Sequence, residues 1–297
     1  MGRIFLMAVS AVIGCGKSSI MKRLHQTRVL EEILSQKYGK AVNIIFVKEP
    51  EDMWVETIKD PWSGEEHKIN HLESFYANRD VMAHAFQMFV FDTHITVIED
   101  AVKRAEKQEL DTIILVERSM YDQMLFWKQQ LRDNIATATL AHHASYVRFW
   151  KRWDKFIPPV SLIFFLRTSN LDKTMRRLKN RECLKKSVDG NKSVFHVSVD
   201  GTESEILQVG GISRKYQSDL LELHEAFYAT PYAYPPEAPI GGIPCVHLDA
   251  DAPYHEEDVS LFALAEEMVP HMMAVMNGSY GEHEESAIKI VEMKSFY

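Results

Sequence analysis

AVSAVIGCGKSS, Ala8 to Ser19, follows directly on the apolar run Ile4-Phe5-Leu6-Met7, and its reading decides the fold. Ala11-Val-Ile-Gly14-Cys15-Gly16-Lys17-Ser18 fits a phosphate loop with alanine at the first glycine position. Gly14 and Gly16 let the backbone curl so that successive amide hydrogens, that of Cys15 among them, point at phosphate oxygens. Lys17 reaches the outer phosphates, and the Ser18 hydroxyl can ligate magnesium. A helix that opens at Lys17 and contains Ser19 adds the positive end of its dipole. A glycine turn beside a chance lysine is the bland alternative. The apolar run before the loop and the helical pattern after it favour the phosphate site.

Four further apolar runs recur along the chain: Val42 to Val47, Thr112 to Val116, Leu162 to Leu166 and Cys245 to Leu248. Each is short and scarcely alternates with polar residues, so each reads as a strand buried on both faces, with helical patterns between. The expectation is an α/β fold: a central parallel five-stranded sheet flanked by helices. Such sheets bind ligands beyond the carboxyl ends of their strands. The chemistry lies there. The glycine loop follows the first run, Lys48-Glu49-Pro50 the second, Glu117-Arg118-Ser119 the third and an arginine-rich helix the fourth. Asp249-Ala250-Asp251 after the fifth is ambiguous.

Composition narrows the function classes. The 297 residues are 46% hydrophobic and 26% charged, ordinary for a globular chain of one large domain. With 34 basic against 42 acidic residues and no long basic tract, wrapping of nucleic acid is not expected. Cys15, Cys183 and Cys245 are too scattered for a disulfide framework or metal site and fit a reducing compartment. No run approaches the roughly 20 apolar residues that span a bilayer. The N-terminus leaves no room for a cleavable signal, and Leu6 stands where a myristoylation signal wants serine or threonine. A cytoplasmic protein without membrane contact is the expectation.

Phe46-Val-Lys-Glu49-Pro50-Glu-Asp-Met-Trp54 places a carboxylate at a strand end, followed by a proline turn and a tryptophan. Glu49 can take the proton from a substrate hydroxyl while that oxygen attacks the terminal phosphate of ATP. Arg118 can hold the attacking hydroxyl or the moving phosphoryl group, and Glu117 can hold magnesium through water. Alone, the first would pass for an acidic surface turn and the second for a local salt bridge.

Together, these residues resemble the deoxyribonucleoside kinases, the family of deoxycytidine, deoxyguanosine and mitochondrial thymidine kinases and the multisubstrate insect enzyme. GCGKSS, KEPEDMW, ERSMYDQMLFW and FFLRTSNLDKTMRRLKNRE carry the resemblance, and RKYQSDLLELHEAFY and HLDAD follow in the same order. The resemblance implies a P-loop kinase fold with a lid helix, ATP and Mg2+, and transfer to the 5′ hydroxyl of a small-molecule deoxynucleoside. It further implies a homodimer through the long helices around 84–105 and 119–150.

Helical geometry places Gln87, Phe91 and His94 on one face, and Gln123 and Trp127 on one face of the next helix. By alignment with the family Gln87 reads the base, Phe86 and Trp127 flank it, and Tyr76 touches the sugar's 3′ hydroxyl. Phe126 can point inward instead of Trp127, and aromatics at this spacing are often simply core. His94 and Gln123 depart from the family's usual pairs and admit a purine or a pyrimidine edge. Lys173, Arg177 and Arg181 form one basic stripe, anchored by Leu171, Met175 and Leu178, and the last two arginines match the family's lid. Arginines closing over phosphates stabilise spread charge and exclude water.

The lid, 170–183, then departs from the pattern through an insertion at about 185–211, read as a hairpin or mobile loop. Glu182, Glu203 or Glu205 can supply the family's sugar carboxylate. A single domain is expected over 1–277, followed by a weakly ordered tail, 278–297. Two other readings stand beside the nucleoside kinase: a thymidylate-like monophosphate kinase, which would need more basic contacts near the sugar, and a non-catalytic subunit of a larger assembly.

Overall fold

The computed structural model describes residues 2–153, 156–189, 198–199, 206–209, 212–229, 232–233, 242–254 and 257–280. For 181–189, 198–199, 206–209 and 232–233 the description is of the backbone.

The apolar run before the phosphate loop is strand β1, Ile4–Ser10, at the interior of the sheet. It pairs in parallel with β5, Thr112–Glu117, on one side and β6, Val160–Arg167, on the other. Beyond β5 lies β2, Asn43–Val47, and beyond β6 lies β11, Ile243–Asp249. These are the five parallel strands the apolar runs predict. A sixth, β10, Tyr232–Ala233, adds antiparallel to the β11 edge. Two residues are too short to show a periodicity in sequence.

The register brings the functional termini together. Val9 lies opposite Glu117, and Ser10 opposite Phe165, so the phosphate loop, the Glu117-Arg118 turn and the start of the lid leave the sheet at one edge. Along β1, Met7 and Val9 face one core while Leu6 and Ala8 face the other. The first core is closed by helices α1, Lys17–Thr27, α2, Val29–Tyr38, and α9, Asp258–Asn277, through Leu24, Leu34, Leu264 and Met272 among others. The second is closed by α4, Arg79–Ala105, α5, Met120–Arg132, and α6, Leu140–Trp153, through Phe91, Ile95, Leu125 and Trp150. Each such side chain contributes roughly 1.5–3 kcal/mol when fully buried. By length and composition α4 and α9 could cross a membrane, but 50% and 39% of those stretches are buried inside the protein, where they belong to the two cores.

Two regions were not foreseen in this form. After Trp54 the chain makes an antiparallel hairpin, β3, Val55–Lys59, and β4, Glu66–Asn70, with every β3 residue exposed, and enters α3, His71–Ala77, capped by the Asn70 side chain. The hairpin carries charged residues on both faces, which hides its period from a hydrophobic pattern. The lid helix α7, Leu171–Asp189, runs past the expected end at 183. Within the insertion β7, Ser198–Val199, pairs antiparallel with β8, Ile206–Val209, and β8 with β9, Ile212–Ser213, which leads into α8, Arg214–Phe227. Helix α9 ends at Asn277, and 281–297 lie outside the described residues.

Candidate active site

The phosphate loop has the conformation its glycines permit. Gly14 and Gly16 have φ of +83° and +91°, backbone that other residues adopt at a cost of about 1–2 kcal/mol. At Gly14 space also decides: a Cβ would lie 2.8 Å from the Thr174 carbonyl oxygen, because α7 crosses directly over the loop. Ala11, in the first glycine position, is buried, and its carbonyl accepts from Lys17 Nζ at 3.3 Å and Arg118 Nη1 at 3.1 Å. Lys17 also reaches the Val12 carbonyl at 3.3 Å. Burial, then the charge of Arg118, pushes the Lys17 ammonium below its ordinary pKa. Cys15 offers its carbonyl to Arg177 Nη1 at 3.2 Å, while burial pushes its thiol up to about 11. Ser19 lies at the cavity edge.

Two strand ends meet this loop. The Ser18 hydroxyl donates to Glu117 Oε1 at 2.6 Å, and the backbone amide of Glu49 approaches Glu117 Oε2 at 3.5 Å. A hydroxyl and a carboxylate side by side at a phosphate loop are the oxygen donors a magnesium ion shares with substrate phosphates. Among the described residues no group of three or more His, Cys, Asp or Glu would hold a metal by itself. Arg118 Nε lies 3.1 Å from the Glu49 carboxylate, and its guanidinium covers the Phe126 ring at 4.6 Å. Burial raises the Glu49 pKa, but the charges of Arg118 and Lys17 outweigh it and hold the carboxyl below its ordinary value. Arg118 is buried too, yet Glu49, Asp122 and Glu117 hold its pKa above the ordinary value.

From these groups a cavity of about 840 Å³ runs toward α4 and α5. Trp54, Phe75, Tyr76, Phe86 and Phe126 give it an aromatic lining, and Gln87 and Gln123 supply amides. Phe75 stacks on Phe86 at 4.6 Å, and Trp54 meets Phe86 edge-on at 5.8 Å while donating Nε1 to Thr93 Oγ1 at 3.2 Å. Gln87 is buried with no partner on Oε1, the kind of group a ligand's hydrogen-bonding edge would satisfy. His94 sits behind this wall and not on it: its Nδ1 lies 3.2 Å from Gln123 Nε2, and burial lowers its pKa to about 4, so it is neutral.

Phe91 and Trp127 are elsewhere than expected. Helix α4 runs past the cavity into the second core, so one turn beyond Gln87 the Phe91 ring meets Phe149 at 5.5 Å and Tyr146 at 6.2 Å. Trp127 stacks on Tyr146 at 5.1 Å and donates Nε1 to His143 Nδ1 at 2.9 Å. Its neighbour Phe126 faces the cavity instead.

On the lid, Arg177 Nη1 also reaches the Ala250 carbonyl at 3.1 Å, and Lys173 Nζ the Asp251 carbonyl. The side chains of Arg181 and Glu182, and residues Glu203 and Glu205 altogether, lie outside the described residues. Helix α8 contributes two residues that sequence reasoning did not single out. Tyr216 lines the cavity with its hydroxyl pushed up to about 12 by burial, and Gln217 donates to the Ile13 carbonyl. The signal for both was the stretch RKYQSD, noted only as a matching block. Phe75 was likewise passed over beside Tyr76.

A carboxylate and arginine facing one another across the phosphate loop, with an aromatic chamber behind them, define a P-loop phosphotransferase with a planar, hydroxyl-bearing acceptor. A family model described as deoxynucleoside kinase matches residues 7–189. The chain therefore belongs to the deoxynucleoside kinase family, and it phosphorylates a deoxynucleoside with a nucleotide phosphate donor. Comparison with curated protein sequences finds no match. Among solved structures it is similar to the deoxyadenosine kinase of M.mycoides, bound to the products dCMP and a flexible dCDP. The identity is 18% and the TM-score 0.49, over 92% of this chain and 100% of that one.

Proposed function

We propose that the chain transfers the terminal phosphoryl group of ATP to the 5′ hydroxyl of a deoxynucleoside. The observation that carries this is the pair of Glu49, partly buried, and Arg118, buried, 3.1 Å apart where the aromatic chamber meets the phosphate loop. Glu49, held ionised, accepts the hydroxyl proton. Arg118 releases Glu49 to hold the hydroxyl and the phosphoryl group, while Lys17 and Arg177 exchange backbone carbonyls for phosphate oxygens. Gln87 reads the base between Phe86 and Phe126, with Trp54, Tyr76 and Gln123 shaping the rest of the pocket. Ser18 and Glu117 would hold Mg2+, which when bound neutralises phosphate charge. Most of the acceleration in such transfer comes from positioning and charge neutralisation.

A monophosphate acceptor would bring its charge against Glu49, and the one further cation among the described lining residues, Lys48, is paired with Asp52. The deciding measurement is a panel of deoxynucleosides, ribonucleosides and monophosphates with ATP and magnesium. Turnover of one or more deoxynucleosides is expected. Turnover confined to monophosphates would overturn the assignment of the acceptor, and no turnover at all would revive a non-catalytic role.

A further inference from the structure

Three described residues other than glycine have left-handed backbone: Arg28, Arg118 and Asn134. Arg28 and Asn134 are exposed at helix ends, where the chain is free to turn. Arg118 is buried, with φ of +69°, in the step from β5 to α5. Backbone in that region persists at a buried site only where its surroundings over-determine it. The constraint on one side is plain: the Arg118 amide donates to the Val9 carbonyl at 3.0 Å. On the other side is Asp122.

The Asp122 carboxylate is 0% exposed. Its Oδ2 accepts from the Ser119 amide at 2.5 Å, the Ser119 hydroxyl at 2.9 Å and the Ser10 hydroxyl at 2.6 Å. Its Oδ1 accepts from the Tyr228 hydroxyl at 3.3 Å and lies 3.4 Å from His224 Nε2. The Asp122 amide in turn donates to Ser119 Oγ at 3.3 Å, closing a capping box at the start of α5. An exposed side chain is enough to cap a helix. Here a carboxylate is buried and fully coordinated, which is costly unless every partner is in place. Its partners come from β1, from the turn itself and from α8, so one group ties three elements to the residue that follows Arg118. Asp122 does not line the cavity, so it does not touch the acceptor.

We infer that Asp122 is a positioning residue for the phosphoryl transfer: its buried carboxylate locks the left-handed turn that delivers the Arg118 guanidinium to Glu49 and the Ala11 carbonyl. The inference rests on the role proposed above for Arg118. Asp122→Asn keeps the shape but removes the charge and turns one acceptor into a donor, which must face either the donors of Ser119 and Ser10 or the Tyr228 hydroxyl and His224 Nε2. Displacing a catalytic group by about 1 Å can cost roughly a hundredfold, so kcat with the fastest deoxynucleoside falls about 10- to 100-fold. KM and calorimetric Kd for that nucleoside stay within about threefold, because base and sugar contacts are unchanged. On an Arg118→Ala background the same substitution lowers kcat by less than about threefold, as coupled groups act as a unit. Ser10→Ala, which spares the carboxylate and removes one donor, gives a milder kcat loss of about three- to tenfold with unchanged Kd. Normal kcat in both single variants, a loss seen in Kd instead of kcat, or losses that multiply in the double variant would overturn the positioning role. Near-normal turnover of Arg118→Ala alone would instead overturn the reading of Arg118 on which it rests.

Discussion

The two ends of the cavity solve opposite problems. At the phosphate end each cation is already partnered: Lys17 by the Ala11 and Val12 carbonyls, Arg118 by Glu49 and Ala11, Arg177 by the Cys15 and Ala250 carbonyls. At the base end the walls are largely aromatic, His94 behind them is neutral, and the Gln87 Oε1 has no partner. Buried charge cannot be left uncompensated, so the phosphate end stores its cations on backbone oxygens that phosphate oxygens can replace. A neutral amide costs far less to leave waiting. It discriminates because only a base with the right edge satisfies it.

The comparison breaks first at Glu49. Glu49→Ala removes the proton acceptor and frees Arg118; turnover in a coupled ATP assay is expected to fall about 10³-fold, within the range for general bases. Calorimetric nucleoside binding should survive, because the base end is intact. Near-normal turnover would remove Glu49 from the base role. The second test separates wall from core. Trp127→Ala vacates a fully buried, stacked site and should cost about 3–5 kcal/mol in denaturant unfolding, with nucleoside KM changed little in the folded fraction. Phe126→Ala should raise that KM about tenfold with a smaller stability loss. The reverse pattern would place Trp127 in the pocket. The smallest effect concerns His94. Its folded pKa, about 4, lies below the ordinary 6.5 because of burial. The unfolded chain therefore binds the proton first as pH falls, and stability is full above 6.5 and lost between 6.5 and 4. The loss should be about 1–3 kcal/mol at 1.36 kcal/mol per unit, allowing for relaxation. A pH series of unfolding midpoints on His94→Gln should lack that component.

The same division explains what could be read from sequence. The inner strands, buried on both faces, announce themselves as unbroken apolar runs, and the half-buried β2 and β11 are nearly as apolar, so all five parallel strands were legible, and with them the edge where Gly14, Glu49 and Arg118 meet. The phosphate end depends on residue types fixed by chemistry, each directly after a strand. The base end depends on which way a helix faces after several turns. At 100° per residue Gln87 and Phe91 share a face on paper, but α4 leaves the cavity between them. Phe126 and Trp127 differ by one step, and only packing against Tyr146 decides which turns inward. Asp122 gave the least signal of all, because an aspartate in the first turn of a helix reads as an ordinary cap. Its burial is a product of β1 and α8, elements remote in the chain.

Two contacts tie the lid and the helix after its extra segment to the phosphate loop. The Thr174 carbonyl of α7 presses on Gly14, and Gln217 of α8 donates to the carbonyl of the adjacent Ile13. The stretch that begins at Thr174 near the start of α7 and ends at Gln217 on α8 is thus held at its two limits to neighbouring peptides of one loop, like a ring fastened at its clasp. A ring's circumference can change at slowly growing, logarithmic entropic cost while the clasp stays where it is. The grip on phosphate is in this sense insulated from the length of what hangs from it.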